Sequence, residues 1–153
     1  MAMHTWFECK IRYEKTMENG MQKKVTEPYL VDALSFTEAE ARIIEEMTPF
    51  ITGEFTVSDI KRANYSELFP SDEESADRWF KCKLIFITLD EKSGAEKKTS
   101  TQVLVQAADL RDAVKKLDEG MKGTMADYQI GMVSETPLMD VYPYSAGPND
   151  KPE

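Results

Sequence analysis

The chain has few of the residues on which most enzyme mechanisms depend. Of its 153 residues, one is histidine and two are cysteine. We expect His4 to be a solvated terminal residue, and without a fixed histidine base no serine or cysteine nucleophile of the usual kind is predicted. Cys9 and Cys82 have neither C-x-x-C spacing nor neighbouring histidines, so they predict buried core positions, not a zinc site or a disulfide framework. These shortages predict no catalytic residues, no metal and no enzymatic activity.

Long apolar runs and glycine-rich loops are also missing. No run approaches the roughly 20 apolar residues of a membrane span, and the first residues lack the basic and apolar regions of a secretory signal. We therefore expect a cytoplasmic protein with no membrane association. No glycines cluster at the start of a predicted helix, so no cofactor of the nucleotide or dinucleotide class is predicted. The net charge of −9 argues against broad nucleic-acid binding but is compatible with a local basic stripe.

What the chain does contain is a repeated sequence. The segment Trp6-Phe7-Glu8-Cys9-Lys10 returns as Trp79-Phe80-Lys81-Cys82-Lys83, which accounts for both tryptophans and both cysteines. Leu30-Val31-Asp32-Ala33 likewise returns as Leu104-Val105-Gln106-Ala107, and Glu67-Leu68-Phe69-Pro70 as Asp140-Val141-Tyr142-Pro143. We predict an internal duplication with repeats at 6–70 and 79–143, within a single domain at 1–144. An acidic linker at 71–78 would join the repeats, and composition predicts a disordered tail at 145–153.

Each repeat is predicted to fold as ββαβ. Apolar residues alternate with polar ones along the first strand, a pattern typical of half-buried strands. Gly20 and Gly94 fit hairpin turns, and Ser35 and Asp109 fit helix N-caps. The last strand of each repeat has a two-residue step between apolar positions, from Val57 to Ile60 and from Ile130 to Val133, which predicts a β-bulge.

The predicted fold class is therefore α+β, with two tandem ββαβ repeats related by a pseudo-twofold. A mainly antiparallel sheet would be covered by two helices. Because a half of about 70 residues would be marginally stable alone, we expect the halves to share the faces around Cys9, Ile11, Cys82 and Leu84. One sheet, two packed sheets and a closed barrel all remain compatible with the sequence.

One predicted surface combines aromatic and basic side chains. Its residues are Trp6, Lys10, Arg12, Lys24, Trp79, Lys81, Lys83 and Lys98. Rings interleaved with cations on a sheet are typical of single-stranded nucleic-acid binding. The alternative interpretation is that the tryptophans belong to the core and the lysines solubilise strand edges. A third hypothesis, an enzyme acting on a small molecule, would use carboxylates such as Glu27 and Asp32.

The segments Trp6–Lys10, Lys24–Ala33 and Ser35–Glu40 resemble a family of short proteins from Bacteroidetes and the phages that infect them, described as a domain of unknown function. The resemblance extends to about Pro143 and implies a bacterial or phage origin, a cytoplasmic location and no catalytic residues to transfer. We expect a non-enzymatic binding or interaction protein with an unknown protein partner. A single-stranded nucleic-acid-binding protein is the alternative, and exposed edge strands make a homodimer possible.

Overall fold

A computed structural model describes residues 5–124 and 127–143. Within them the chain has a mixed α+β fold of eight strands in two sheets and two helices. The elements in chain order are β1 (Trp6–Thr16), β2 (Gln22–Asp32), α1 (Phe36–Met47), β3 (Phe55–Ala63), β4 (Glu67–Phe69), β5 (Arg78–Leu89), β6 (Glu96–Ala107), α2 (Leu110–Gly120), β7 (Tyr128–Glu135) and β8 (Asp140–Tyr142). The expectations for His4 and for the tail at 145–153 lie outside the described residues.

The chain divides into two compact units, one formed by Met1–Asn64 with Leu138–Glu153 and the other by Tyr65–Pro137. In the first unit the strand order is β3-β1-β2-β8, with β1 antiparallel to both neighbours and β8 parallel to β2. Helix α1 covers one face of this sheet. The buried residues of that core are Phe7, Cys9, Ile11, Val31, Ala33, Ala39, Ile43 and Met47. Since a large apolar side chain contributes roughly 1.5–3 kcal/mol when buried, this layer stabilises the unit.

The second unit has the strand order β7-β5-β6-β4, with β4 parallel to β6. Helix α2 covers one face, and a core cluster there contains Cys82, Leu84, Val103, Val105, Leu117 and Met121. The expectation that the two halves share the faces around Cys9, Ile11, Cys82 and Leu84 is therefore wrong. Each of those faces is covered by the helix of its own unit.

The predicted helix caps are confirmed. Ser35 Oγ accepts a hydrogen bond from the Glu38 N–H at 3.1 Å, and Glu38 Oε1 accepts one from the Leu34 N–H at 2.9 Å. Asp109 Oδ1 and Asp112 make the equivalent pair of bonds at the start of α2. Both helix starts thus have backbone donors satisfied by side chains, which is the purpose of a capping residue.

The predicted turns and bulges are confirmed as well. Gly20 and Gly94 have φ of 83° and 73°, in the left-handed region that favours glycine at a hairpin turn. The register of β1 against β3 shifts between Lys10 and Ile11, and Ser58 is the extra residue on β3. The register of β5 against β7 shifts between Lys83 and Leu84, with Gly131 extra on β7. Each third strand therefore bends where the apolar spacing indicates.

The short strands β4 and β8 are the part of the fold that the sequence did not predict. β4 follows β3 within the predicted first repeat, yet it pairs with β6 in the second unit. β8 follows β7, yet it pairs with β2 in the first unit. The boundary between the units therefore differs from the boundary predicted between the repeats. In the described part of the chain, neither helix is long and apolar enough to span a bilayer.

Candidate binding site beside the first hairpin

The two tryptophans of the predicted aromatic and basic surface are buried. The exposed fraction is 2% for Trp6 and 5% for Trp79. A base can stack only on a ring whose face is accessible. Their role as stacking platforms is therefore wrong, and the alternative interpretation of the tryptophans as core residues holds.

The basic residues of that surface are placed differently. Lys10 and Lys81 are half-buried, whereas Arg12, Lys24, Lys83 and Lys98 are exposed. Arg12 and Lys24 come together, because both line one groove in the first unit. Lys81, Lys83 and Lys98 lie on β5 and β6 in the second unit. The structure thus singles out Arg12 and Lys24 from the predicted set.

The groove has a volume of about 580 Å³ and lies where the first hairpin extends past β3. We call it the hairpin groove. Its lining residues are Arg12, Tyr13, Glu14, Gln22, Lys24, Thr52, Gly53, Glu54, Phe55 and Thr56. They provide two aromatic rings and two charges of each sign. That balance differs from an anion site and fits a polar ligand with both donors and acceptors.

One wall of the hairpin groove is a strand segment with a free edge. β3 begins at Phe55, which pairs with Tyr13, whereas β1 continues to Thr16 against β2 alone. The Met17 N–H donates to the Met21 carbonyl at 2.8 Å and closes the hairpin. Because hydrogen-bonded pairs alternate along an antiparallel ladder, the backbone groups of Glu14 and Thr16 point away from β2. No other described residue pairs with that edge of Glu14 and Thr16.

The equivalent position in the second unit has a backbone hydrogen bond. Phe86 corresponds to Tyr13, since each is the last residue of its strand to pair with both neighbours. The next residue, Ile87, donates its N–H to the Asp127 carbonyl at 3.2 Å. Its counterpart Glu14 lacks such a bond among the described residues. The free backbone edge therefore begins at Glu14 in the first unit, whereas the N–H at the equivalent position, Ile87, is bonded in the second.

Behind the hairpin groove lies a polar cluster that the sequence analysis missed, formed by Tyr13, Lys15, Glu27, Tyr29 and Tyr142. The Tyr13 hydroxyl donates to Glu27 Oε1 at 2.8 Å, and the Tyr29 hydroxyl donates to the same oxygen at 3.4 Å. Lys15 Nζ lies 3.6 Å from Glu27 Oε2, and the Glu27 side chain is only 12% exposed. The available signal was a glutamate at an inward-facing position of β2, opposite Ile11.

Burial and nearby carboxylates raise the pKa of all three tyrosines and favour their neutral form. Burial, and then the hydrogen bond to Glu27, raise the pKa of Tyr13 to about 12. Burial is also the main cause that raises the pKa of Tyr29, and burial followed by Asp140 raises the pKa of Tyr142 to about 12. A neutral phenol remains a hydrogen-bond donor. The cluster therefore fixes Tyr13, a lining residue of the hairpin groove, as a hydrogen-bond donor.

A family model for a domain of unknown function, DUF4494, matches residues 5–144. The chain belongs to the DUF4494 family. No curated protein and no solved structure matches it. The match covers both units of the fold, so the DUF4494 domain includes both hairpins and both short parallel strands.

The carboxylates considered for catalysis are not brought together in this DUF4494 chain. Glu27 faces the helix-covered side of β2, whereas Asp32, five positions on, faces the opposite side because side chains alternate along a strand. Asp32 is 5% exposed and its Oδ1 accepts a hydrogen bond from the Thr5 N–H at 3.1 Å. Asp32 therefore holds the backbone at the start of β1. The two residues therefore do not form one site.

The thiols of the DUF4494 chain are equally unsuited to nucleophilic chemistry. Cys9 and Cys82 are fully buried. Burial raises the pKa of Cys9 to about 12 and that of Cys82 to about 11. The thiolate is the reactive form of cysteine, so both side chains behave as small apolar groups. Among the described residues, no group of three or more histidine, cysteine or acidic side chains is arranged to hold a metal ion.

Proposed function

We propose that this DUF4494 protein is a non-enzymatic interaction module that binds an extended segment of a partner protein in the hairpin groove. The observation that carries the proposal is the free edge of β1, which begins at Glu14, a lining residue of the groove, and continues to Thr16 beyond it. An added strand would bond to that edge in line with β3, as peptides do when they extend a sheet. The main-chain bonds would supply affinity.

The composition of the hairpin groove supports a peptide over a nucleic acid. Arg12 and Lys24 are accompanied by Glu14 and Glu54. Phosphate binding depends on an excess of positive charge, which this lining lacks. A peptide brings backbone donors and acceptors together with side chains of either sign. The volume of about 580 Å³ is within the range of small-ligand sites and suits a few residues of a chain.

Divergence between two copies of one unit also supports a specialised first unit. We propose that the chain arose by internal duplication, with the two sheets as the descendants of one ββαβ sequence. On that basis Tyr13, Glu27, Tyr29 and Tyr142 correspond to Phe86, Thr101, Val103 and Phe69. The polar cluster would have been acquired, or kept, only beside the hairpin groove. We place this activity in the cytoplasm of bacteria or of phage-infected cells, on the strength of the family resemblance.

The test uses a matched pair of substitutions at one position. Glu14→Pro removes the N–H that points into the groove, at a position not bonded to β2, where proline is tolerated in an edge segment. Glu14→Ala also removes the carboxylate but keeps the N–H. Peptides selected from a random seven-residue display library on the wild-type chain are titrated against both variants. We expect Glu14→Pro to bind about tenfold more weakly than Glu14→Ala, which corresponds to about 1.4 kcal/mol for one backbone hydrogen bond.

Circular dichroism establishes that both variants are folded before binding is compared. Equal affinity of the two variants for every selected peptide would exclude strand addition at this edge. A labelled single-stranded oligonucleotide, titrated at low and moderate salt by fluorescence anisotropy, tests the alternative. Salt-sensitive binding that is lost on Arg12→Ala and Lys24→Ala, with no peptide selected, would assign the groove to nucleic acid.

A further inference from the structure

Both sheets end in the same kind of strand. β8 and the residue after it read Asp140-Val141-Tyr142-Pro143, and β4 with its following residue reads Glu67-Leu68-Phe69-Pro70. Each strand is three residues long and pairs in parallel with the second strand of a hairpin. The shared form is acidic, aliphatic, aromatic, proline. The structure therefore contains two cases of one strand type bound to one type of edge.

The contacts of β8 show what the β2 edge recognises. The Tyr142 ring stacks on Tyr29 with centroids 6.1 Å apart and planes 19° from parallel. Val141 is buried on the other face. Arg42 donates from Nη2 to the Pro143 carbonyl at 3.2 Å, and the Met139 N–H donates to the Pro28 carbonyl at 2.9 Å. The surroundings of Val141 and Tyr142 determine which side chains fit at these two positions. Hydrogen bonds to backbone groups hold both ends of the strand.

The contacts of β4 follow the same scheme on β6. Phe69 packs against the core that lies under α2, and Gly120 makes room for its ring, since a Cβ there would lie 2.8 Å from Phe69 Cε1. The Ser66 N–H donates to the Gln102 carbonyl at 2.8 Å, and the Ser71 N–H donates to Gln106 Oε1 at 2.9 Å. The aromatic residue again enters the core, and backbone groups on either side of the strand are bonded.

We infer that the outer edge of β2 is a recognition site for a short parallel strand of the form acidic–aliphatic–aromatic–proline, which β8 occupies in cis and which a peptide of that form from another protein can occupy in its place. Three residues of parallel pairing make few hydrogen bonds, so local release of β8 requires little free energy compared with global unfolding. Proline ends such a strand because it has no N–H for the next ladder bond. The site lies on the opposite side of the sheet from β3 and does not depend on the proposed role of the hairpin groove.

The test is competition between β8 and a peptide added in trans to the full chain. The probe is a fluorescein-labelled peptide with the sequence of Leu138–Pro143, and the measurement is fluorescence anisotropy. The tethered β8 has an effective concentration in the millimolar range, so the wild-type chain should bind the probe weakly. Tyr142→Ala removes the stacked ring of β8, and we expect the probe to bind this variant at least about tenfold more tightly than the wild type. Met139→Ala, at an exposed neighbouring position, is the control and should bind like the wild type.

A second variant covers the case in which Tyr142→Ala fails to fold. Tyr142→Leu removes the ring that stacks on Tyr29 but keeps an apolar side chain at that position. Because this change lies in β8 and not in the site, it weakens the strand in cis, leaves every contact of the probe in place, and should also give tighter probe binding than the wild type. A peptide with the sequence of Ser66–Ser71 should compete with the probe, whereas the probe with alanine in place of its tyrosine should not. The inference is overturned if neither folded variant binds the probe more tightly than the wild type, or if the alanine probe binds equally well.

Discussion

At the scale of single residues, Glu27 is a carboxylate on an inward-facing position of a strand. It lies on the helix-covered face of β2 and accepts hydrogen bonds from Tyr13 and Tyr29. A half-buried carboxylate is stable only when donors replace the water it has lost. The tyrosines provide these donors, and Lys15 adds an ion pair. The cluster therefore is a satisfied polar network that also fixes one wall of the hairpin groove.

Replacing Tyr13 by phenylalanine tests this network. The change removes a 2.8 Å hydrogen bond and leaves Glu27 with weaker donors, so we expect a loss of about 1–2 kcal/mol in the free energy of unfolding at neutral pH. Urea denaturation measures it. Tyr128→Phe is the matched control, because the Tyr128 hydroxyl donates to the exposed Asp118 at 3.3 Å, and its loss should be below about 0.5 kcal/mol. Equal losses for the two variants would contradict the network.

The same substitution has a pH signature. The pKa of Tyr13 is raised from 10.0 to about 12 in the folded chain. A phenol with a raised folded pKa contributes stability that is complete below the unfolded value and lost as pH rises through the folded value. The difference between wild type and Tyr13→Phe should therefore shrink between about pH 10 and 12. A difference that stays constant across this window would show that the lost stability comes from packing and not from the hydroxyl.

At the scale of elements, the close contact between α2 and β4 decides whether a substitution in the helix stabilises or destabilises the chain. Alanine normally stabilises a helix by about 1 kcal/mol relative to glycine. At Gly120, however, the new Cβ would meet three atoms of the rigid Phe69 ring at 2.8–3.1 Å, and such overpacking costs about 1–3 kcal/mol. We expect Gly120→Ala to destabilise the wild-type chain by about 1 kcal/mol, measured by urea denaturation. In a Phe69→Ala background the same change should become stabilising, and a destabilising effect in both backgrounds would refute the contact.

Local patterns predicted the longer elements and missed the short ones for a physical reason. Alternation, capping and the two-residue steps each depend on neighbours in sequence, and they gave the hairpins, the caps and the bulges at Ser58 and Gly131. β4 and β8 are three residues long, too short for a period-two pattern. Their pairing is decided by Tyr29, Gly120 and other residues far away in the chain. The hairpin groove was missed likewise, because a free strand edge depends on where its neighbour begins.

The tryptophans show the same limit at the level of the site. Trp6 and Trp79 alternate in sequence with cations, which indicates an exposed aromatic face. Alternation assigns a side chain to one face of a strand, but it does not tell which face is covered. Both rings prove to be buried. Arg12 and Lys24, which were predicted as part of that surface, line a groove whose acidic and aromatic members the sequence did not group with them.

At the scale of the whole molecule, each short strand pairs with a strand outside the predicted repeat that contains it. β4 precedes the second hairpin and belongs to the second unit, whereas β8 comes last and belongs to the first. We therefore predict that Phe69→Ala loosens β6 and α2, and that Tyr142→Ala loosens β2. Hydrogen exchange followed by mass spectrometry measures both. Amide exchange in the affected elements should rise about tenfold or more, which corresponds to a local loss of at least about 1.4 kcal/mol.

The crossed pattern distinguishes this topology from its simplest alternative. If each short strand paired within its own repeat, Phe69→Ala would loosen β2 and Tyr142→Ala would loosen β6. The two arrangements therefore predict opposite results for each variant, and one hydrogen-exchange data set decides between them. Met139→Ala serves as the control, since its side chain is half exposed and its N–H keeps the bond to the Pro28 carbonyl. Faster exchange in both units on Phe69→Ala would mean that the units unfold together, because a local loss in one unit would then reach the other.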